Sequence, residues 1–286
     1  MEIISIYNLK GGVGKTTSTH SIAAGLSEFG KKVLVIDIDP QSSLTFMVTD
    51  CKLDATTKDI LLDTKTIEQC INVGDKFDYI GSTLELTLSE LELNSTWNKE
   101  NILKQAMEIS SIRDKYDYCL IDCPPSMGIF TLNALTVSDS IVIPCQCELL
   151  SLEGLNILFQ ALKVPMKRLN QNLKIRGILP TLLNTRAGIS KDAYDMLLEN
   201  YNDYKILNIE KIEIARGTGN IKGDFNLILE VMRALIDNAL KFSDKNIILD
   251  SFKDTIYTYI SVTDFGIGIN EDEIDKIFEN FYKVDE

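Results

Sequence analysis

Short apolar runs alternate with helix-spaced segments through the first two-thirds of the chain. Residues 3–7, 32–38, 118–122, 140–144 and 174–183 read as strands. The run at 32–38 is continuous in Val, Leu and Ile rather than alternating with polar residues, a pattern that suits strands buried on both faces of a parallel sheet. Helices are predicted over 16–29, closed by Gly30, over 152–170 with Ser151 as N-cap, and over 191–202 with Ser190 in that place. Pro165 should kink or split the second of these. Such alternation predicts an α/β fold, a doubly wound and mostly parallel sheet that takes ligands at the carboxyl ends of its strands.

The pattern changes after Tyr204. Residues 220–223 read as a loop and 226–242 as a helix; 246–252 and 255–263 read as an antiparallel hairpin turned at Lys253-Asp254. A Gly-rich turn from Asp264 to Gly268 then leads into a helix near 271–281. The organisation expected is therefore a larger domain over 1–204, a junction over 205–222, and a smaller, incomplete α+β segment over 223–286.

Composition is that of an ordinary globular protein, 45% hydrophobic and 25% charged. The longest apolar runs, such as 33–36 and 141–143, are far too short to span a bilayer. No basic, apolar leader precedes the first strand, so a cytoplasmic location is expected. The net charge is −13: residues 205–286 carry 10 Lys+Arg against 16 Asp+Glu, a net of −6, leaving 19 against 26, a net of −7, for the rest. Neither part has the basic excess of a strong nucleic-acid binder. Cys119 with Cys123, and Cys145 with Cys147, could each supply half a metal site. The single histidine, His20, falls inside a predicted helix, so the six cysteines are read as reduced, partly buried thiols.

The first strand runs into Lys10-Gly11-Gly12-Val13-Gly14-Lys15-Thr16-Thr17 and then a helix. Strand, Gly-rich loop and helix in that order form a phosphate cradle: glycines let backbone N–H groups turn toward one anion, and the helix N-terminus adds its dipole. Lys15 would reach the β- and γ-phosphates of a nucleotide, and the Thr16 hydroxyl would ligate Mg²⁺. The standard pattern has a glycine five residues before Gly14; here Leu9 stands there, and Lys10 adds a charge inside the loop.

These residues resemble the deviant Walker A loop of the ParA/MinD ATPases, K-G-G-x-G-K-[ST]. Three further segments resemble that family in order: Val35 to Gln41 its switch sequence, Cys119 to Ser126 its Walker B strand and loop, and Ile143 to Gly154 the segment after the next strand. The pairing of Asp37-Ile38-Asp39-Pro40-Gln41 with Pro124-Pro125-Ser126 is most similar to the ParA/Soj partition branch. The resemblance implies an ATPase that binds ATP and Mg²⁺, dimerises on ATP, hydrolyses slowly and serves chromosome or plasmid partitioning with an adaptor protein. It implies that Lys10 crosses to the partner subunit's phosphates, that Asp39 positions the attacking water and reports the γ-phosphate, that Asp122 holds Mg²⁺ through water, and that Asn184, before Arg186, contacts the base. It also implies nonspecific DNA binding, which the acidic balance and the replacement of the family's basic final segment should weaken.

The last quarter resembles a different ATPase. The stretch Ala234 to Ser243 resembles the Asn-bearing helix of the histidine-kinase ATP-binding module, Asp264 to Ile269 its adenine-binding loop, and Ile277 to Tyr282 its lid-flanking segment. By that resemblance Asn238 would ligate Mg²⁺, Lys241 would lie near phosphate, and Asp264, with Gly266 and Gly268, would hold adenine. The sequence ends at Glu286, short of the module's second glycine motif, and shows no phosphoacceptor histidine upstream, so autokinase activity is not expected. Two other readings remain beside the partition ATPase: a signalling protein carrying a truncated sensor-kinase ATP-binding module, and a non-catalytic scaffold.

Overall fold

The computed structural model describes residues 1–182, 193, 196–201, 204–207, 212–214, 236, 239, 247–253, 258–266 and 268. It divides into two compact units, Met1–Leu207 and Asn208–Glu286.

In the first unit the apolar runs become β1 (Glu2–Ile6), β2 (Val33–Asp37), β3 (Asp78–Ile80), β4 (Tyr118–Asp122), β5 (Ser140–Gln146) and β6 (Lys174–Thr181). The helices between them are α1 (Lys15–Glu28), α2 (Ser43–Val48), α3 (Thr57–Leu61), α4 (Leu86–Ser95), α5 (Ile102–Ile109), α6 (Ile112–Lys115), α7 (Ile129–Val137) and α8 (Leu149–Arg168). The six strands form one sheet in the order β3-β2-β4-β1-β5-β6, every pair parallel. This is the doubly wound sheet the alternation predicts. Alternate strand residues serve opposite faces. Ile3, Leu34, Ile36, Cys119, Ile121, Ile141 and Ile143 belong to one core, with α3–α8 supplying its other side. Ile4, Ile6, Val33, Val35, Leu120 and Val142 belong to a second core with Ala23 and Ala24 of α1 and Leu44 of α2. Both faces are covered, so the strands need no polar alternation.

Two local expectations are corrected, and one strand was not foreseen. Ser151 does not cap α8: Glu148, in extended backbone, is the N-cap, and Ser151 sits in the first turn with its N–H on the Glu148 carbonyl (2.9 Å). Pro165 does not split α8; it falls in the last turn, where a missing N–H removes one bond near an end already due, and its carbonyl accepts from Leu169 N (2.8 Å). The strand β3, three residues long, carries too little pattern to be read from sequence. The cysteines are free thiols, all buried except Cys51. No helix of the described residues is long and apolar enough to cross a membrane.

Residues placed in the junction are partly taken up at each side. Ile178 N donates to Lys205 O (2.9 Å) and Leu207 N to Ile178 O (2.8 Å), so 205–207 lie along the β6 edge. A β-carbon on Gly177 would stand 2.5 Å from the Lys205 carbonyl oxygen, which is why the edge carries glycine there.

The second unit holds β7 (Ile212–Ile214), β8 (Ile247–Lys253) and β9 (Thr258–Thr263). The strand β8 pairs parallel with β7 and antiparallel with β9, with Lys253 opposite Thr258. Lys253 is therefore the last residue of its strand rather than part of the turn.

Candidate nucleotide site

The parallel register sets three strand ends level: Ile6 and Asp37 both stand opposite Asp122. The loops leaving β1, β2 and β4 consequently meet at one edge of the sheet, where a doubly wound fold places its ligands. The loop after β1 turns through Gly12 (φ +74°) and Gly14 (φ +83°), a left-handed backbone that side chains with a β-carbon resist. Gly14 is the N-cap of α1. Within the loop Val13 is buried, Gly11, Gly12 and Thr17 are exposed, and Thr16 is half-buried. The loop is tied to its neighbours at two points. Asn8 Nδ2 donates to Pro144 O (2.7 Å) while its Oδ1 accepts from Lys10 N (3.1 Å), and Thr181 Oγ1 donates to Val13 O (2.8 Å).

Lys15 is 7% exposed, and its ammonium donates to the Lys10 carbonyl (3.1 Å). Burial pulls its pKa below the usual lysine range, partly countered by the charges of Asp122 and Asp39. The loop thus folds its own cation back onto its backbone.

Asp122 ends β4 and is 1% exposed. Its Oδ1 lies 3.2 Å from Thr19 Oγ1, while Oδ2 is buried with no partner among the described residues. A buried, unpaired carboxylate oxygen is costly to leave unmet. Burial, then the nearby Asp37 charge, pushes the Asp122 carboxyl up to about 7, against the pull of the Thr16 and Thr19 hydroxyls. Oxygen ligands of this kind, with the Thr16 hydroxyl adjacent, fit a hard divalent cation held through water.

Asp37 and Asp39 do different work. Asp37, 1% exposed, accepts from Thr45 N (2.9 Å) and Thr45 Oγ1 (2.7 Å) and from Asp39 N (3.1 Å), so it fixes α2 and the loop before it. Burial raises its pKa to about 6. Asp39 is half-buried and caps its own turn, accepting from Gln41 N (2.9 Å). Sequence reasoning named Asp39 and missed Asp37, whose burial at the end of β2 follows from its place level with Asp122 in the sheet. It also missed Thr19, one turn after Thr16 on the same helix. Lys10 donates to Ser151 Oγ (2.8 Å), with Glu148 Oε2 at 3.5 Å. Asn184 and Arg186 lie outside the described residues.

In the second unit Asp264 follows β9 and is exposed; its Oδ1 accepts from Gly266 N (2.8 Å), and Gly268 has φ +74°. This is an Asx-type turn. Asn238 and Lys241 lie outside the described residues.

Residues 1–175 match the family model described as "AAA domain", and residues 223–286 match "Histidine kinase-, DNA gyrase B-, and HSP90-like ATPase". The chain is 40% identical over 227 residues to the sporulation initiation inhibitor protein Soj of Bacillus subtilis, covering 77% of this chain and 89% of that one. It is 38% identical over 192 residues to the chromosome partitioning protein ParA of Myxococcus xanthus, covering 66% and 67%. Among solved structures it is similar to cobyrinic acid a,c-diamide synthase from Mycobacterium smegmatis with bound ATP analog and magnesium. The TM-score there is 0.68 at 28% identity, over 84% of this chain and 96% of that one. With its lysine-bearing phosphate loop, its two strand-end aspartates and these relatives, the chain belongs to the ParA/Soj family of P-loop ATPases, followed by a segment of histidine-kinase-like ATPase sequence.

Proposed function

We propose that residues 1–204 bind Mg-ATP at the loop 10–17, dimerise across the bound nucleotide, hydrolyse it slowly, and so drive chromosome or plasmid partitioning. The observation that carries this reading is the presence, beside one glycine loop, of the buried Lys15 ammonium and of a buried Asp122 Oδ2 with no partner among the described residues. One group awaits a cation and the other an anion, and Mg-ATP supplies both.

Backbone N–H groups of Gly11 to Thr16 and the N-terminus of α1 face the phosphates. Lys15 leaves the Lys10 carbonyl for the β- and γ-phosphates. Thr16 and Asp122 hold Mg²⁺, which when bound neutralises charge developing on the transferred phosphoryl group. Asp39 orients the attacking water and senses the γ-phosphate. Lys10 of the partner subunit neutralises the transition state, a role that contributes roughly 10³–10⁵ in rate when an arginine finger fills it. Asn184 contacts the base. The ATP-bound dimer is the species that meets an adaptor protein and, weakly, DNA. The work is done in the cytoplasm.

Sedimentation with ATP, ADP and no nucleotide tests the dimer. The wild type should pair with ATP alone, and Lys10→Ala should bind ATP but neither pair nor hydrolyse it. Wild-type dimerisation by Lys10→Ala removes the cross-subunit role. A second reading, ATP binding by residues 223–286, rests on the match of that segment and on the Asp264–Gly266 turn. There Asp264 would accept the adenine amino group beside Gly266 and Gly268, with Asn238 on Mg²⁺ and Lys241 near phosphate.

A further inference from the structure

Lys10 is assigned by the proposed function to the partner subunit's phosphates, yet in the single chain its ammonium is already occupied. It donates to Ser151 Oγ at 2.8 Å, and Glu148 Oε2 lies 3.5 Å away. Ser151 is 5% exposed, so its hydroxyl meets the Lys10 ammonium rather than open water. Glu148 is held in turn: its Oε1 accepts from Gln146 Nε2 at 2.5 Å. Both acceptors come from the β5–α8 connection, the N-cap and the first turn of α8, and Ser151 N is bonded to the Glu148 carbonyl at 2.9 Å. The strand that leads into this connection, β5, is tied to the loop after β1 by the Asn8 amide on the Pro144 carbonyl. Serine is not required there by helix capping, since Glu148 is the N-cap and Ser151 lies inside the helix.

We propose that Ser151 and Glu148 form a latch within one chain that stores Lys10 away from the trans position, so that opening it is a step of dimerisation. The inference rests on the cross-subunit role of Lys10. Each donor that the ammonium keeps on Ser151 or Glu148 is lost to phosphates of another subunit, because its three donors share a single nitrogen. The latch therefore competes with pairing, and the partner's phosphates, carrying more charge than one half-exposed carboxylate, displace it. The ion pair is exposed by 40% and 50% on its two sides, so its share is small and screened by salt; the buried hydroxyl makes the shorter contact. Ser151 and Glu148 act through Lys10 and are positioning residues.

The test measures the dimer dissociation constant by sedimentation with a slowly hydrolysed ATP analogue, together with the nucleotide affinity of the monomer at high dilution. Ser151→Ala should tighten the dimer about three- to tenfold, a gain in proportion to one modest polar contact removed from the monomer, and Glu148→Gln by less, at most about fivefold. Monomer nucleotide affinity should not move, which separates a latch from a structural role, where both quantities would fall together. Ser151→Thr, keeping the hydroxyl, should restore the wild-type constant. In a Lys10→Ala background neither substitution should change anything further. Unchanged or weaker dimerisation by Ser151→Ala overturns the latch, since the contact would then be idle or would aid the trans position. If Lys10→Ala itself pairs like the wild type, the fault lies in the cross-subunit reading. If Lys10→Ala fails to pair while Ser151→Ala equals the wild type, the latch alone is wrong.

Discussion

Replacing Lys15 with alanine should separate binding from folding, because this ammonium occupies an unusual position. It is 7% exposed, its pKa is lowered first by burial, and it rests on the Lys10 carbonyl at 3.1 Å. On binding, it would exchange that one bond for contacts with two phosphates. A hydrogen bond to a charged group is worth about 1.5–3 kcal/mol net, so the exchange contributes roughly 2–4 kcal/mol, or about 30- to 1000-fold in Kd. In the nucleotide-free protein the balance differs. Lys15→Ala removes a poorly solvated charge and leaves one carbonyl beside open solvent, so stability should stay within about 1 kcal/mol, or about 2–4 °C in Tm. Calorimetric titration of Mg-ATP and a thermal melt without nucleotide read the two quantities, and an Asp264→Ala variant shows whether any remaining binding belongs to the second unit. An ATP affinity within threefold of the wild type would refute the phosphate role. A fall in Tm beyond about 10 °C would make Lys15 a structural residue instead.

Asp39→Ala should bind ATP with near-normal affinity and accumulate as the ATP-bound dimer, because the phosphate cradle is untouched; unchanged single-turnover hydrolysis excludes Asp39 from positioning water. Burial holds the Asp37 and Asp122 carboxyls at about 6 and about 7, above their unfolded values. The folded, nucleotide-free protein then binds more protons than the unfolded chain between about pH 4 and 7, and these two groups lower its stability as pH rises through that window. Melts across the window should show a shallower loss for Asp122→Asn than for the wild type, and equal slopes would contradict the assignment. DNA retention with ATP should vanish above about 0.1 M salt, since each phosphate contact contributes about 0.9 to the slope of log affinity against log salt. Of the basic residues Lys163, Lys167, Arg168, Lys174 and Arg176, the last is already paired with Glu2. Tight, ATP-specific retention at 0.2 M would mean that a stronger basic surface exists.

The sequence alone determined the parallel sheet, because strands buried on both faces must be apolar throughout, and it determined the phosphate loop, because Gly12, Gly14 and Lys15 are local chemistry within a few residues. It could not reach the features that depend on which strands lie side by side. Nothing local says that Asp37 stands level with Asp122, yet that register sets two buried carboxylates at adjacent strand ends, where the Asp37 charge adds to burial in raising the Asp122 pKa. The same holds for Lys10 and Ser151, which are 141 positions apart and meet because β5 lies next to β1. Ser151 looked like a helix cap in one dimension, since a serine before an apolar helix usually is one. Folding started the helix three residues earlier, at Leu149, and released that hydroxyl for a cation supplied by another loop. Local propensity sets elements; the packing of parallel strands decides which polar side chains face one another.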